Sequence, residues 1–502
     1  MPDPSASRLT DRLTAALAAP ATDDAFDPHS ELAEVLAGIG MTPADTGGAI
    51  TFRGADPVVR STLRLGAAAS IAMVTKSAVM AALWRARGGE GQDIAMDLRV
   101  GPRRLAPMSE PARWERLNGY PPATPAIVGD GVTIGFYRTA DDRWIMPANF
   151  YPKLSLAATR LLGIPDESSA AAAAIAKWRG TDLEKAAEEV GTVLPMVRTT
   201  AEMMAEPQYR DVLADLPLIE IERIGDSEPE PLSEGVTQPL DGIRALGMGH
   251  VIAGASAGRA LALHGADVLN LWRPFEMEHD TLYCTANVGM RQATLDPYGA
   301  EGAAAIRGLL EDADVFFANR RPGYLEKIGL TAKEAAAARP GIIHASVSLH
   351  GCAGPWAGRI GFDQVAGAVS GMLMFEGDEG RPALPSIGVI NDNICGWLLA
   401  AGIGRALQRR AVEGGSYRVH ISLTRVALWA VSMGVFDKNY AHAIAGTPGD
   451  HENRPLETFT ADTPLGHYQG VTDQVIMSAT PGHYRNILSH RGADRPEWLP
   501  RA

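Results

Sequence analysis

A chain of 502 residues has material for two or three domains, and 46% hydrophobic with 21% charged residues is ordinary for a globular protein with real cores. The net charge of -13 excludes a general nucleic-acid binder, because a phosphate backbone would be repelled, yet it leaves room for a local basic site for a small phosphate ligand. The three cysteines, Cys284, Cys352 and Cys395, lie far apart, fit no zinc spacing and suit a reducing cytoplasm. The first residues carry acids and prolines where a signal peptide needs an uninterrupted apolar core. No stretch long enough to cross a bilayer is free of charge, so no membrane partner is expected.

Residues 1 to about 50 read as helical and acidic. From Asp56 to Trp84 the text is apolar and helical, followed by a Gly turn, GGEGQ, and a short alternating strand, DIAMDLRV. Residues 137–147 read as a hairpin around Asp141 and Asp142, and 151–216 as several short helices, one starting at Thr181-Asp182. The Pro-, Ser- and Glu-rich stretch 225–239 reads as a linker and the main domain boundary.

Beyond it the pattern alternates. Strands are expected at Ile243–Leu246, Asp267–Leu271, Asp314–Ala318 and Ile342–Ser346, and helices at Ala253–His264, Ala300–Glu311 and Ala332–Ala338. That order predicts an α/β fold, a Rossmann-like parallel sheet with helices on both faces. A helix from Asp392 then runs into a Gly turn, EGGSY, and a strand, RVHISL. The same order, helix, basic end, Gly turn, strand, already occurs at residues 60–98, and YRTADDRWIMPANFY parallels YQGVTDQVIMSATPGHY. An internal duplication follows, with Ala67 or a neighbour in the place of Asp392. The expected division is 1–230 as a degenerate partial copy, 231–370 as the Rossmann-like domain and 371–502 as a smaller α+β domain.

Four glycines, Gly247, Gly249, Gly254 and Gly258, flank the start of the helix after the first strand. Small residues there let a backbone approach a phosphate at a helix N-terminus, and they equally serve close helix–sheet packing. The spacing is not GxGxxG, and the second strand ends in Leu271, Trp272 and Arg273 where a dinucleotide site wants an acid. A nicotinamide-dependent dehydrogenase is therefore disfavoured. Arg273, Arg291, Arg320 and Arg321 each follow a strand or turn, where a doubly wound sheet gathers its ligand. Asp392, before an apolar helix, reads either as an ordinary N-cap or as a reactive carboxylate, and Asp363 in GFDQVAG shares that ambiguity. Cys395, one turn into the helix, reads better as a buried structural residue than as a nucleophile.

From Pro239 onward the text PLDGIRALGMGHVIAGASAGRALALHGADVLNLWRP, then NVGMRQATLD, ADVFFANRRPGYLEKIGL and HGCAGPWAGRIGFDQVAGAVSG, resembles the family III CoA-transferases (the CaiB/BaiF group). Residues 60–220 look like that family's later half displaced to the front. The resemblance implies Asp392 as nucleophile and Asp363 as accessory acid. It places coenzyme A near His250, Ala253, Arg273, Arg291, Asn319, Arg321 and Lys327. Departures are Met290 for a lysine, Ile252 for a glutamine, and Phe362 where racemase members carry a histidine.

The activity so implied is transfer of coenzyme A from an acyl-CoA to a free carboxylic acid through aspartyl anhydride and aspartyl-CoA intermediates. An aspartate titrating near its ordinary value of about 3.9 is ionised at neutral pH and would need no general base. Backbone N–H groups of Asn393 and Ile394 would stabilise oxyanions. Coenzyme A is a substrate here, with no permanent cofactor and no metal. The alternatives are an acyl-CoA isomerase, racemase or lyase on the same scaffold, and a CoA-binding homologue without turnover. The family's interlocked dimers imply a homodimer, whereas a front copy standing in for the second subunit would make a monomer.

Overall fold

In the computed structural model, which describes residues 4–108, 114–122 and 130–501, the strand–helix alternation after Arg244 builds one seven-stranded sheet. Its order across the sheet is Arg291–Thr294, Asp267–Trp272, Arg244–Met248, Val315–Ala318, Ile343–Ser348, Ser416–Ser422 and Glu220–Gly225. The first six are parallel and run 3-2-1-4-5-6 by order of appearance, the doubly wound arrangement. The seventh is an antiparallel edge strand from the front of the chain. The sheet therefore takes strands from either side of residues 230 and 370. The stretch read as a linker is also strapped down: Gly415 donates its N–H to the Ser227 hydroxyl at 2.9 Å, and Arg339 pairs with Glu230.

Side-chain alternation along each strand sorts the two faces. Ala245, Val315, Phe317, Ile343, Ala345 and Val419 join the larger core with helices Ala253–Leu263 and Asn391–Glu413. Leu246, Met248, Phe316 and Ala318 face the other way, against Ile306, Leu309 and Leu310 of helix Ala300–Glu311. The strands and helices expected after residue 239 appear within a residue or two of their places. The hairpin also forms, Tyr137 pairing with Ile145 and Asp142 at φ 61°.

Two long helices form the centre. The front helix, Leu65–Ala86, packs along the rear helix, Asn391–Glu413. A side chain at Gly404 of the rear helix would start 2.7 Å from Val79 of the front one, so that glycine sets the close approach. The front helix starts later than its apolar run, because Asp56 stands outside it as a cap. It is long and apolar enough to cross a membrane but carries Lys76 and Arg85, and its apolar stretch is 94% buried inside the fold. Its Lys76 pairs with Asp473 at 2.6 Å in the interior.

Candidate active site

The rear helix begins at Asn391 with Ile390 as its N-cap residue, so Asp392 occupies the second helical position and does not cap. Capping is done by Asp363, the first residue of helix Asp363–Ser370. Its Oδ2 accepts the backbone N–H of Ile390 at 3.0 Å and of Asp392 at 2.8 Å. These are two of the donors a helix start leaves unpaired. The Asp392 carboxyl has no hydrogen-bond partner among the described residues and is only 6% exposed.

Burial pushes the Asp392 carboxyl well up, and the neighbouring charge of Asp363 pushes it further. Burial also raises Asp363, to about 6, against the pull of backbone N–H groups of Asp392, Ile390 and Asn391. Those donors favour the charge on Asp363 and leave the proton on Asp392. The expectation of a nucleophile ionised at its ordinary value therefore does not hold in this closed site. Asn393, one of the two expected oxyanion donors, stands at the third position of this helix. Its side chain is tied to Ser256 at 2.8 Å and to the Leu105 carbonyl at 2.7 Å. Cys395 is fully buried, and burial drives its thiol far up, as befits a structural residue.

The turn after strand Arg244–Met248 lies where the strand order reverses. It is clasped from three sides. The His250 N–H donates to Asn319 at 2.8 Å, and Asn319 donates back to the His250 carbonyl at 2.7 Å. Gly249 donates to Asn270 at 2.8 Å. Val251, held at φ 60°, donates to Glu278 at 2.7 Å. The glycines here make room for protein: a Cβ on Gly254 would lie 2.6 Å from Asn319, and one on Gly258 2.3 Å from Met290. The packing reading of those glycines is the one the geometry supports.

Tyr151, from the front of the chain, closes the cluster. Its hydroxyl donates to Glu278 at 2.7 Å. Its ring stacks on Phe362 (5.8 Å, 14°) and lies 5.7 Å from His250 and 5.0 Å from His279. Burial first, and then the charge and hydrogen bond of Glu278, hold the phenol protonated. Neither Tyr151 nor Glu278 was singled out from the sequence. Tyr151 ends the stretch that parallels 468–484, but nothing local marks one aromatic among several.

Of the basic residues, Arg273 and Arg320 share one partner, Glu276, whose carboxyl they hold down at about 2 against the cost of burial. Arg321 is exposed, and its side chain makes no hydrogen bond or ion pair among the described residues; it lies near enough to Arg273 to feel its charge. Lys327 is exposed on the short helix Tyr324–Lys327. Arg291 is a correction. It opens its strand beside Leu269, in the amino half of the sheet, and is bound to Asp267 at 2.9 Å, away from the carboxyl edge where a ligand gathers. Ala253 is buried at the start of its helix, and its carbonyl faces Gly396 of the rear helix, where an added Cβ would sit 3.0 Å from it.

A doubly wound sheet, a clasped turn at its switch point and a carboxyl pair at a helix start describe one class of α/β protein. Residues 240–498, over half the chain, match the family model of CoA-transferase family III, and the chain belongs to that family. It is similar to the formyl-CoA:oxalate CoA-transferase of Streptomyces coelicolor, 32% identical over 200 residues, 38% of this chain and 48% of that one. It is also similar to the succinyl-CoA–L-malate CoA-transferase alpha subunit of Chloroflexus aurantiacus, 30% identical over 199 residues, 37% of this chain and 46% of that one. A Mycobacterium tuberculosis crystal structure shares 29% identity, covering 40% of this chain and 56% of that one, with a TM-score of 0.36. The chain spans about half the length of these curated relatives.

Proposed function

We propose that this chain transfers coenzyme A from an acyl-CoA thioester to a free carboxylic acid, with Asp392 as the nucleophile. The reading rests on one observation: the helix-capping duty belongs to Asp363, so the Asp392 carboxyl is buried at a helix start with no structural bond to account for it. The relatives' names support the same activity. Once deprotonated, the Asp392 carboxylate attacks the thioester carbonyl. An aspartyl–acyl anhydride forms, the C–S bond breaks, and the sulfur leaves with its electron pair as a thiolate. The returning thiolate attacks the aspartyl carbonyl, which gives aspartyl-CoA and frees the first acid. The acceptor carboxylate then attacks aspartyl-CoA, so that a second aspartyl–acyl anhydride forms and the C–S bond breaks. The thiolate attacks the new acyl carbonyl, which gives the product acyl-CoA and frees the Asp392 carboxylate. The Asn393 N–H is available to a developing oxyanion. Arg321 and Lys327 are exposed cations suited to the phosphates of coenzyme A. His250, Asn319 and Ala253 hold the shape of the turn beside them.

On this reading the front segment is a degenerate second copy that lends Tyr151 to the site within one chain. Incubation with an acyl-CoA, acid quench and peptide mass spectrometry tests the assignment. An acyl or CoA adduct on the Asp392 peptide is expected. Turnover with an adduct on another residue, or with none, overturns it.

A further inference from the structure

Three neighbouring strands bring together groups that the transfer reaction does not use. Cys352 lies just beyond strand Ile343–Ser348 and is exposed, whereas Cys284 and Cys395 are buried. Its Sγ is 3.2 Å from Nε2 of His420, on the neighbouring strand Ser416–Ser422. The same nitrogen is 2.9 Å from the Ser348 hydroxyl. The other ring nitrogen, Nδ1, is bonded to Glu220, which is the direct cross-strand partner of His420 on the antiparallel edge strand. Arg418, two residues before His420 and so on the same face, is near enough for its charge to act on Cys352 and is itself bound to Glu222 at 3.2 Å and Glu220 at 3.6 Å. Nucleophile, base and orienting carboxylate thus stand in sequence, with a second cation beside the sulfur.

We infer that Cys352 is a reactive thiolate, paired with the His420 imidazolium and oriented through Glu220, and that it is a site of covalent modification by small disulfides. The charges that face it explain its state. Burial of the sulfur opposes ionisation, but the hydrogen bond and charge of His420, and then Arg418, outweigh it and bring the thiol below its ordinary value. Burial likewise opposes charge on His420, and the bonds to Cys352 and Glu220 outweigh it and raise the imidazole. In the reaction the Cys352 sulfur forms a bond to one sulfur of the disulfide, whose S–S bond breaks. The other half leaves as a thiolate and takes up a proton. Cys352 is oxidised to the mixed disulfide, and the departing half is reduced. The loop carrying Cys352 runs on into the helix that begins at Asp363, so an adduct would sit on the segment that leads to the accessory carboxylate.

The test uses the full chain and 4,4′-dithiodipyridine, with thiopyridone release followed across pH and the adduct located by peptide mass spectrometry. One fast equivalent on the Cys352 peptide is expected. Its rate should change little between about pH 9 and pH 7, where an ordinary thiol with a pKa of about 8.5 slows roughly twentyfold. His420→Asn should slow the reaction at pH 7 by about tenfold while leaving it near its original rate at pH 9. Should that buried replacement disturb the sheet, Glu220→Gln, on the edge strand, should shift the profile in the same direction. A native profile that falls like an ordinary thiol, a fast equivalent on Cys284 or Cys395, or a pH 7 rate that neither replacement alters in a folded protein would each overturn the assignment.

Discussion

The front and rear helices lie side by side and begin in nearly the same way, yet only one start is equipped for chemistry. Each is capped by a buried aspartate from outside the helix: Asp56 takes the N–H groups of Gly66 and Ala67, and Asp363 takes those of Ile390 and Asp392. Counted from the helix starts, the second position is Gly66 in front and Asp392 behind. A Cβ on Gly66 would lie 2.8 Å from both Asp56 Oδ1 and the Leu98 carbonyl, so the front start is closed by its own cap. The rear cap leaves its second position a side chain with no bond to make. The difference teaches that a shared cap stabilises both helices and that the space beside the cap decides which of them can react.

Replacing Asp392 with Asn should break the comparison most sharply. Coenzyme A exchange into a free acid should fall by at least about a thousandfold. The fold should not suffer. A carboxyl whose folded pKa is raised above its unfolded value contributes most at low pH, below about 4, and that contribution is lost as pH rises through the folded value. At neutral pH the amide should therefore raise stability, by on the order of 1 kcal/mol, with the gain vanishing toward pH 4 in chemical denaturation. A clear loss of stability would mean that Asp392 is structural after all.

Placing the missing carboxylate in the front helix, Gly66→Asp, should cost roughly 2–4 kcal/mol of stability and add no exchange activity. The new side chain meets a buried carboxylate and a carbonyl at sub-contact distance. Unfolding curves and an exchange assay in the Asp392→Asn background would show it. A stable, active double variant would mean that the two starts are equivalent.

The gentlest change is Asp363→Asn, which keeps an acceptor for the Ile390 and Asp392 N–H groups and removes the like charge. The acid limb of the pH–rate profile should move to lower pH, because the Asp363 charge is the second cause of the raised Asp392 carboxyl. A limb that stays in place would assign the raised value to burial alone.

Much of this was readable in the residues. Strand and helix places after Arg244 follow from local alternation and turn residues, and the order of those elements already implies a parallel sheet. The pair Asp363 and Asp392 was visible as two carboxyls before apolar helices. Which of them caps was not, because the donor and acceptor are brought together by the fold from distant parts of the chain. Arg291 looked equivalent to Arg273 until the sheet put it at the amino half of its strand and gave it to Asp267. The glycines fitted a phosphate seat and close packing equally until Asn319 and Met290 were found against them.

Local pattern, then, was enough for the kinds of element, their succession and the candidate carboxyls, since these depend on neighbours a few residues apart. Only the packed molecule allotted the roles: Asp363 as cap, Asp392 as the unpartnered acid, Tyr151 over the turn, and Cys352 beside His420 and Glu220. Those roles depend on burial and on hydrogen-bond partners far away along the chain, and no stretch of text holds both ends of such a contact.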